Sequence, residues 1–374
     1  MADKGGVVTI RRTPIIIALL GLLVAGLIAA YLLLPTAAGA AGVHSRFDAP
    51  AAVELDNNQV TPQISQGKVA WREVGEGDFP MGYVWSVGAP AVATWDEFDW
   101  CSAFDYANWD PGDVVVWWRG RDEAPDEIWV TNGTLNYRLA GGVNEVGYPR
   151  IDGTIVVWQE RDGGDWDIRA AQLDIDTLAV ERTLSVCSAR GDQTRPDCDS
   201  GLVVWQDRRN GQWDIYGRDL NLGGTKRICG NSARQTVPRI ADHWVAWEDN
   251  RNRGYGADVY GRQAYCASAD NRWVLGTVRA VCHARGDQLE PDVGDGFVVW
   301  TDWRNADDHG EFEPPNTDIR AYDIPSGDRF LIAGGDGMQR APDIEYSTLV
   351  YSSYSYTHHT QPWGGHVKGA TLEH

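Results

Sequence analysis

The chain has 374 residues and a formal net charge of −20, with 53 acidic side chains against 33 basic ones. Residues 1–42 hold one acid and three bases, so the remainder sets 52 acids against 30 bases. A surface that acidic repels nucleic acid, anionic lipid and acidic polysaccharide, and no nucleic-acid partner is expected.

Lys4, Arg11 and Arg12 precede Ile15–Leu34, an uncharged stretch bounded by Pro14 and Pro35. Its length matches the hydrocarbon core of a bilayer, and the positive flank places the N-terminus inside. The expectation is a cytoplasmic segment 1–13, one N-terminal transmembrane helix at 14–35, a linker 36–50 and a single-pass protein of the cell membrane. A cleaved signal peptide is the alternative, since Ala38-Gly39-Ala40 has the small-x-small form of a cleavage site. Either way the rest of the chain lies outside the cytoplasm, in the periplasm or on the cell surface.

A short apolar run ending in an aromatic then recurs: Val69-Ala70-Trp71, Val115-Val116-Trp117, Val156-Val157-Trp158, Val203-Val204-Trp205, Val245-Ala246-Trp247, Val298-Val299-Trp300 and Leu349-Val350-Tyr351. The aromatics are spaced by 46, 41, 47, 42, 53 and 51 residues, the period of a four-stranded propeller blade rather than of a two-helix repeat. The expected fold is therefore all-β, a seven-bladed β-propeller of four-stranded blades over residues 51–374. In the best-matched unit, strand A follows Pro196, strand B is Val203-Val204-Trp205, strand C is Asp214-Ile215-Tyr216 and strand D is Lys226-Arg227-Ile228. Asn210-Gly211 suits the tight turn from B to C, because both residues tolerate positive φ. A Gln stands three residues before the strand-A Pro in five repeats, at Gln59, Gln193, Gln235, Gln288 and Gln339, and Pro fits the start of a strand.

The last repeat has no room for its strand D, and an open edge invites aggregation. Ala51-Ala52-Val53-Glu54-Leu55 is apolar and has the phase of a D strand, so it is expected to close the ring. Strand direction then puts D–A linkers and B–C turns on one face and C–D turns on the other, with the chain arriving at the C–D face.

The Trp-x-Asp-x-Arg-Asn-Gly-x-x-Asp-Ile-Tyr pattern is intact from Trp205 to Tyr216 and near-intact around Trp158, Trp247 and Trp300. It resembles the TolB-like (WD40-like) β-propeller repeats of bacterial and archaeal envelope proteins. That resemblance implies an extracytoplasmic role in protein interaction or ligand display and brings no catalytic residues with it.

Six cysteines in an exported chain suggest disulfides, but no Cys-x-x-Cys occurs, which argues against zinc. Cys187, Cys229 and Cys282 are phase-equivalent and too far apart to pair with one another. The local pair Cys187–Cys198 is the candidate bond, with two buried free thiols as its rival. No Gly-x-Ser-x-Gly, His-Glu-x-x-His or phosphate loop appears, so no enzyme activity is expected. The repeated Asp207, Asp249, Asp302 and Asp214 read as turn-capping groups.

Two B–C turns depart from the repeat, at 305–317 and 354–363. Asp307, Asp308, His309, His358 and His359 could there form a mixed nitrogen and oxygen set for a divalent metal, against the plainer reading of two solvated loops. No other cofactor is expected. The residues expected to contact a protein partner on the B–C and D–A face are Arg209, Asn210, Trp303, Arg304, Tyr354, Tyr356 and Trp363. The leading expectation is thus an anchored interaction module or accessory subunit of a membrane or surface assembly. The alternatives are an exported carbohydrate-active hydrolase or lyase with carboxylates in the funnel, or a metal- or ligand-binding sensor head.

Overall fold

The computed structural model describes residues 41–48, 58–65, 68–74, 81–86, 92–95, 101–109, 112–121, 124–132, 134–174, 176–252, 254, 256–267, 272–306, 315–335, 337–354 and 365–374. The expected membrane helix at 14–35 lies outside them. Among the described residues the chain is all-β and forms antiparallel four-stranded sheets, the arrangement of a propeller.

Taken along the chain, sheet 1 joins Asn58–Ser65, Lys68–Val74, Met81–Ser86 and Val92–Trp95, and sheet 2 joins Cys101–Trp109, Gly112–Arg121, Ala124–Thr131 and Asn136–Gly141. Sheet 3 joins Glu145–Asp152, Ile155–Arg161, Asp167–Leu173 and Val180–Cys187, and sheet 4 joins Gln193–Asp199, Leu202–Asp207, Asp214–Asp219 and Gly223–Cys229. Sheet 5 joins Gln235–Ala241, Trp244–Asp249, Asp258–Ala267 and Arg279–Cys282, with Arg272–Leu275 as an additional strand. Sheet 6 joins Gln288–Gly294, Phe297–Asp302, Asp318–Asp323 and Arg329–Ala333. Sheet 7 joins Met338–Glu345, Thr348–Tyr354, Gly365–Glu373 and, from the other end of the sequence, Gly42–Asp48. First strands touch those of the neighbouring sheets in order from sheet 1 to sheet 7 and back to sheet 1.

Second strands are buried on both faces, and this is why they read as unbroken apolar runs rather than as alternation. Val203 and Trp205 pack with Val157 and Ile168 of sheet 3, while Val204 packs with Ile240 and Val245 of sheet 5. The core is therefore a series of layers between neighbouring sheets. Trp205, Trp247 and Trp300 are wholly buried in it, each contributing on the order of 2–3 kcal/mol by area.

Closure comes from a different segment than expected. Gly42–Asp48, inside the stretch read as linker, pairs antiparallel with Gly365–Glu373, whereas residues 51–55 lie outside the described residues. Val43 joins the apolar layer of sheets 6 and 7, and the Arg46 side chain donates to the Ile332 carbonyl at 3.0 Å. The physical reason is that a fourth strand needs little apolar character. Gly223–Cys229, its counterpart in sheet 4, exposes four consecutive residues, Gly224 to Arg227.

Ser45 lies opposite Thr371 in this pairing. In a cysteine-free background, Ser45→Cys with Thr371→Cys should form a disulfide under mild oxidation and raise the unfolding free energy by about 2–4 kcal/mol. Failure of the pair to cross-link in the folded protein would contradict the closure.

Candidate functional site

The turns between second and third strands carry a repeated clasp. Trp205 Nε1 donates to Asp207 Oδ2 at 2.8 Å, Trp247 to Asp249 at 3.0 Å and Trp300 to Asp302 at 3.0 Å. Each of these carboxylates is wholly buried and also accepts the backbone N–H two residues later, at Arg209, Arg251 and Arg304. The same arginines return their guanidinium groups to the carboxylate at 2.6, 2.6 and 2.7 Å. Short local spacing makes this possible: the Asp ends its strand, so its side chain reaches both the tryptophan before it and the turn after it. Burial of an ion pair is tolerated because every carboxylate oxygen finds donors.

The groups packed around the clasp explain the rest of the motif. Arg209 lies 4.2 Å over the Tyr216 ring and Arg251 3.9 Å over that of Tyr260. Asn210 donates to Asp214 at 3.0 Å and to the Tyr216 hydroxyl at 2.9 Å. Arg209 also donates to Cys187 Sγ at 3.0 Å, Arg251 to Cys229 at 3.7 Å and Arg304 to Cys282 at 3.5 Å. The phase-equivalent cysteines are thus arginine acceptors. Their thiols are pushed up by burial, to about 11 at Cys229 and Cys282, which leaves them protonated.

These contacts revise several expectations. Arg209, Asn210 and Arg304 take part in the clasp, the two arginines also reaching the preceding sheet, while Asn210 remains exposed. Cys187 and Cys198 are both buried and neither is in a disulfide: one ends the fourth strand of sheet 3 and the other lies in the first strand of sheet 4. The expected Cys187–Cys198 disulfide is therefore absent, because those strands sit at opposite edges of adjacent sheets. Trp303 is half-buried, its indole N–H without a partner among the described residues, and Tyr354 ends its strand half-buried. Asp307, Asp308, His309, His358, His359, Tyr356 and Trp363 lie outside the described residues. Among the described residues no group of three or more His, Cys, Asp or Glu is placed to hold a metal ion.

A second repeated device joins the sheets. Gln193, Gln235 and Gln288 are wholly buried, and each amide turns back onto its own linker, donating to the carbonyl of Gly191, Ala233 and Gly286 respectively. Their backbone N–H groups bond Trp166, Trp213 and Ala257 of the preceding sheet's turn, which puts linkers and B–C turns on one face as expected. Each strand then bulges at the residue before its proline. Tyr148, Arg195, Val237, Glu290 and Ala341 all have φ between 50° and 54°. This left-handed conformation costs a non-glycine residue on the order of 1–3 kcal/mol. The bulge turns an N–H toward the preceding sheet: Arg195 to Gln159 at 3.0 Å, Val237 to Gln206 at 3.0 Å, Glu290 to Glu248 at 3.1 Å and Ala341 to Thr301 at 3.1 Å.

The residue after each proline faces its equivalents where the first strands converge. Asp197 accepts the Ile240 N–H, Asp292 that of Ile344 and Asp343 that of Ile64. Arg150 bonds Asp197 at 3.0 Å and Gln63 at 3.1 Å, so it bridges sheets 1, 3 and 4. Arg239 stands 3.7 Å from Asp292. Burial pushes the Asp292 carboxyl up to about 6 against the pull of Arg239 and Arg150. Burial and then Asp152 and Asp242 raise Asp199 to about 6 at the opposite end of the strands. Sequence reasoning missed this layer, although its positions were marked by the Gln-x-x-Pro spacing.

No protein-family model and no curated protein matches the chain. Solved structures share the fold at low identity. The β-propeller domain of the trilobed protease from Pyrococcus furiosus, described as having an open velcro topology, is 12% identical with a TM-score of 0.60, over 85% of this chain and 94% of that one. Pyrococcus horikoshii acylaminoacyl peptidase is 11% identical with a TM-score of 0.58, over 83% of this chain and 51% of that one. TolB from Acinetobacter baumannii is 10% identical with a TM-score of 0.42, over 82% and 80%. The chain thus spans about half the length of the peptidase and nearly all of the isolated propeller domain. The expected propeller fold is shared with the peptidase propeller domains.

Two expected outcomes test the site's electrostatics. Asp207→Ala should destabilise the protein by about 3 kcal/mol, because it strands the Trp205 N–H and the Arg209 charge; a loss under about 1 kcal/mol in denaturant unfolding would contradict the clasp. Asp199 has a folded pKa above its unfolded value, so its contribution is present below about pH 4 and lost as pH rises through about 6. Asp199→Asn should accordingly raise Tm at about pH 7.5 and leave it near wild type at about pH 3.5. An equal shift at both pH values would show that the carboxyl's charge is irrelevant.

Proposed function

We propose that the chain is an anchored, extracytoplasmic interaction module whose sheets close as a seven-bladed ring and whose partner binds the face of the B–C turns and D–A linkers. The observation that carries this reading is the contrast between repeated and unrepeated turns on that face. In the repeated turns the aspartate and its arginine are engaged in the clasp, whereas segments 307–314 and 355–364 break the sequence repeat and follow strands of the adjacent sheets 6 and 7. Unrepeated loops on a rigid repeated scaffold are where recognition concentrates. Gly42 lies opposite Glu373, at the end of sheet 7 that carries the turn at Ser347. Gly42–Asp48 therefore starts on the face opposite to those loops.

A specific observation also favours the alternative of an exported carbohydrate-active enzyme. Glu248 and Glu290 are unrepeated carboxylates at repeated inward positions, and burial raises Glu248. Against it, Glu290 is held by Arg340 at 2.6 Å and by the Thr301 hydroxyl at 2.8 Å, which leaves it poorly placed to exchange a proton.

The test is site-specific photo-crosslinking of the full chain in its native membranes. A photoreactive residue at Asn305 should yield a discrete adduct, one at Asn221 on the opposite face should not, and replacing 307–314 by a short Asn-Gly turn should abolish the adduct. Adducts at Asn221 alone, or at neither position, would overturn the assignment of the face.

A further inference from the structure

Sheet 5 departs from the repeat at the end that carries the A–B and C–D turns. In sheets 4 and 6 the third strand stops at Asp219 and Asp323, and each carboxylate caps its own turn, Asp219 accepting the N–H groups of Asn221 and Leu222 at 2.8 Å. Gln263 takes that register position in sheet 5, but there the strand continues to Ala267 and pairs with Arg272–Leu275. Gln263 therefore has no turn to cap. Opposite it, Trp244 stands where sheets 3, 4 and 6 carry Ile155, Leu202 and Phe297. Arg279 likewise stands where sheets 4 and 6 carry Lys226 and Phe330.

These departures meet in a cavity of about 330 Å3 between sheets 5 and 6. Trp244, Val293 and Ile324 give it an apolar floor, while Arg279, Asp242 and Gln263 supply polar walls. The Arg279 guanidinium lies 5.3 Å over the Trp244 ring and donates one N–H to the Ile324 carbonyl at 3.1 Å. Among the described residues neither Arg279 nor Asp242 forms an ion pair, with each other or with any other group.

The volume falls at the lower end of small-ligand sites, and apolar lining with a few converging polar groups is their usual make-up. A guanidinium with its remaining donors free matches a carboxylate, and a free carboxylate matches an ammonium. We propose that this cavity binds a free α-amino acid with an apolar side chain, its carboxylate on Arg279, its ammonium on Asp242 and its side chain against Trp244, Val293 and Ile324. Fixed opposite charges complement a zwitterion and penalise ligands carrying only one of the two groups, since a lone carboxylate meets Asp242 and a lone amine meets Arg279. The site lies on the opposite face from the proposed partner surface and does not rest on that reading.

Calorimetric titration of the full chain with L-phenylalanine tests it. L-Phenylalanine should bind, with hydrocinnamate, which lacks the ammonium, and phenethylamine, which lacks the carboxylate, at least about tenfold weaker. Arg279→Gln and Asp242→Asn should each weaken L-phenylalanine about tenfold, and Asp242→Asn should leave hydrocinnamate no weaker than before. Both side chains are exposed, so the variants should fold and melt no lower than the wild type, which separates lost binding from lost folding. Absence of L-phenylalanine binding, equal binding of hydrocinnamate, or full affinity in Arg279→Gln would overturn the proposal.

Discussion

Sheets that pack face to face must be locked in angle and height without merging into one continuous sheet. Here the constraint is met by the backbone N–H of a single bulged residue. At Arg195, Val237, Glu290 and Ala341 the chain accepts a left-handed φ before proline, and the freed N–H crosses to a side chain on the second strand of the preceding sheet. An N–H left unpaired in that setting would cost on the order of 1–3 kcal/mol, so the bulge and its acceptor stand or fall together. Gln206 shows how tightly the two are coupled, since it accepts from Val237 while donating to Thr194 of its own sheet at 2.8 Å.

The clasp around each buried aspartate acts one level down, within a sheet. It fixes the turn from second to third strand by tying the core tryptophan, the turn backbone and an arginine to one carboxylate. The arginine then extends to a thiol on the fourth strand of the preceding sheet, as from Arg209 to Cys187. Polar residues that look available in the sequence are in this way turned to scaffolding wherever the pattern is kept, and the proposed recognition surface falls where it is broken. Sheets 5, 6 and 7 break it, the first with its additional strand and the other two with their long turns.

What the sequence disclosed follows from how much side-chain burial each element requires. Second strands are buried on both faces, so Val203-Val204-Trp205 and its counterparts announced the period and the core unaided. Fourth strands are exposed over most of their length, and so Gly42–Asp48 carried no apolar signature while the more apolar stretch 51–55 drew the assignment. The cysteines were correctly seen as equivalent, but equivalence in phase signals a shared neighbour as readily as a bond, and the neighbour proved to be arginine. Gln-x-x-Pro was legible as a spacing, yet its meaning depends on an adjoining sheet that no single repeat contains. Arg279 and Asp242 gave no signal because they are far apart in sequence and come to line one cavity only when sheet 5 is folded against sheet 6.

The bulge also means that the cooperative unit is offset from the sheet. Each tryptophan and the side chain after it belong with the proline of the following sheet, so the smallest complete module begins in the middle of one sheet and ends near the start of the next. A chain assembled from such staggered modules can gain or lose only whole periods, since any smaller change in the strands would misplace a donor relative to its acceptor. The turns carry neither partner of that bond. Variation in length is thereby channelled into them, and 307–314 and 355–364 are places where the architecture leaves evolution free to write.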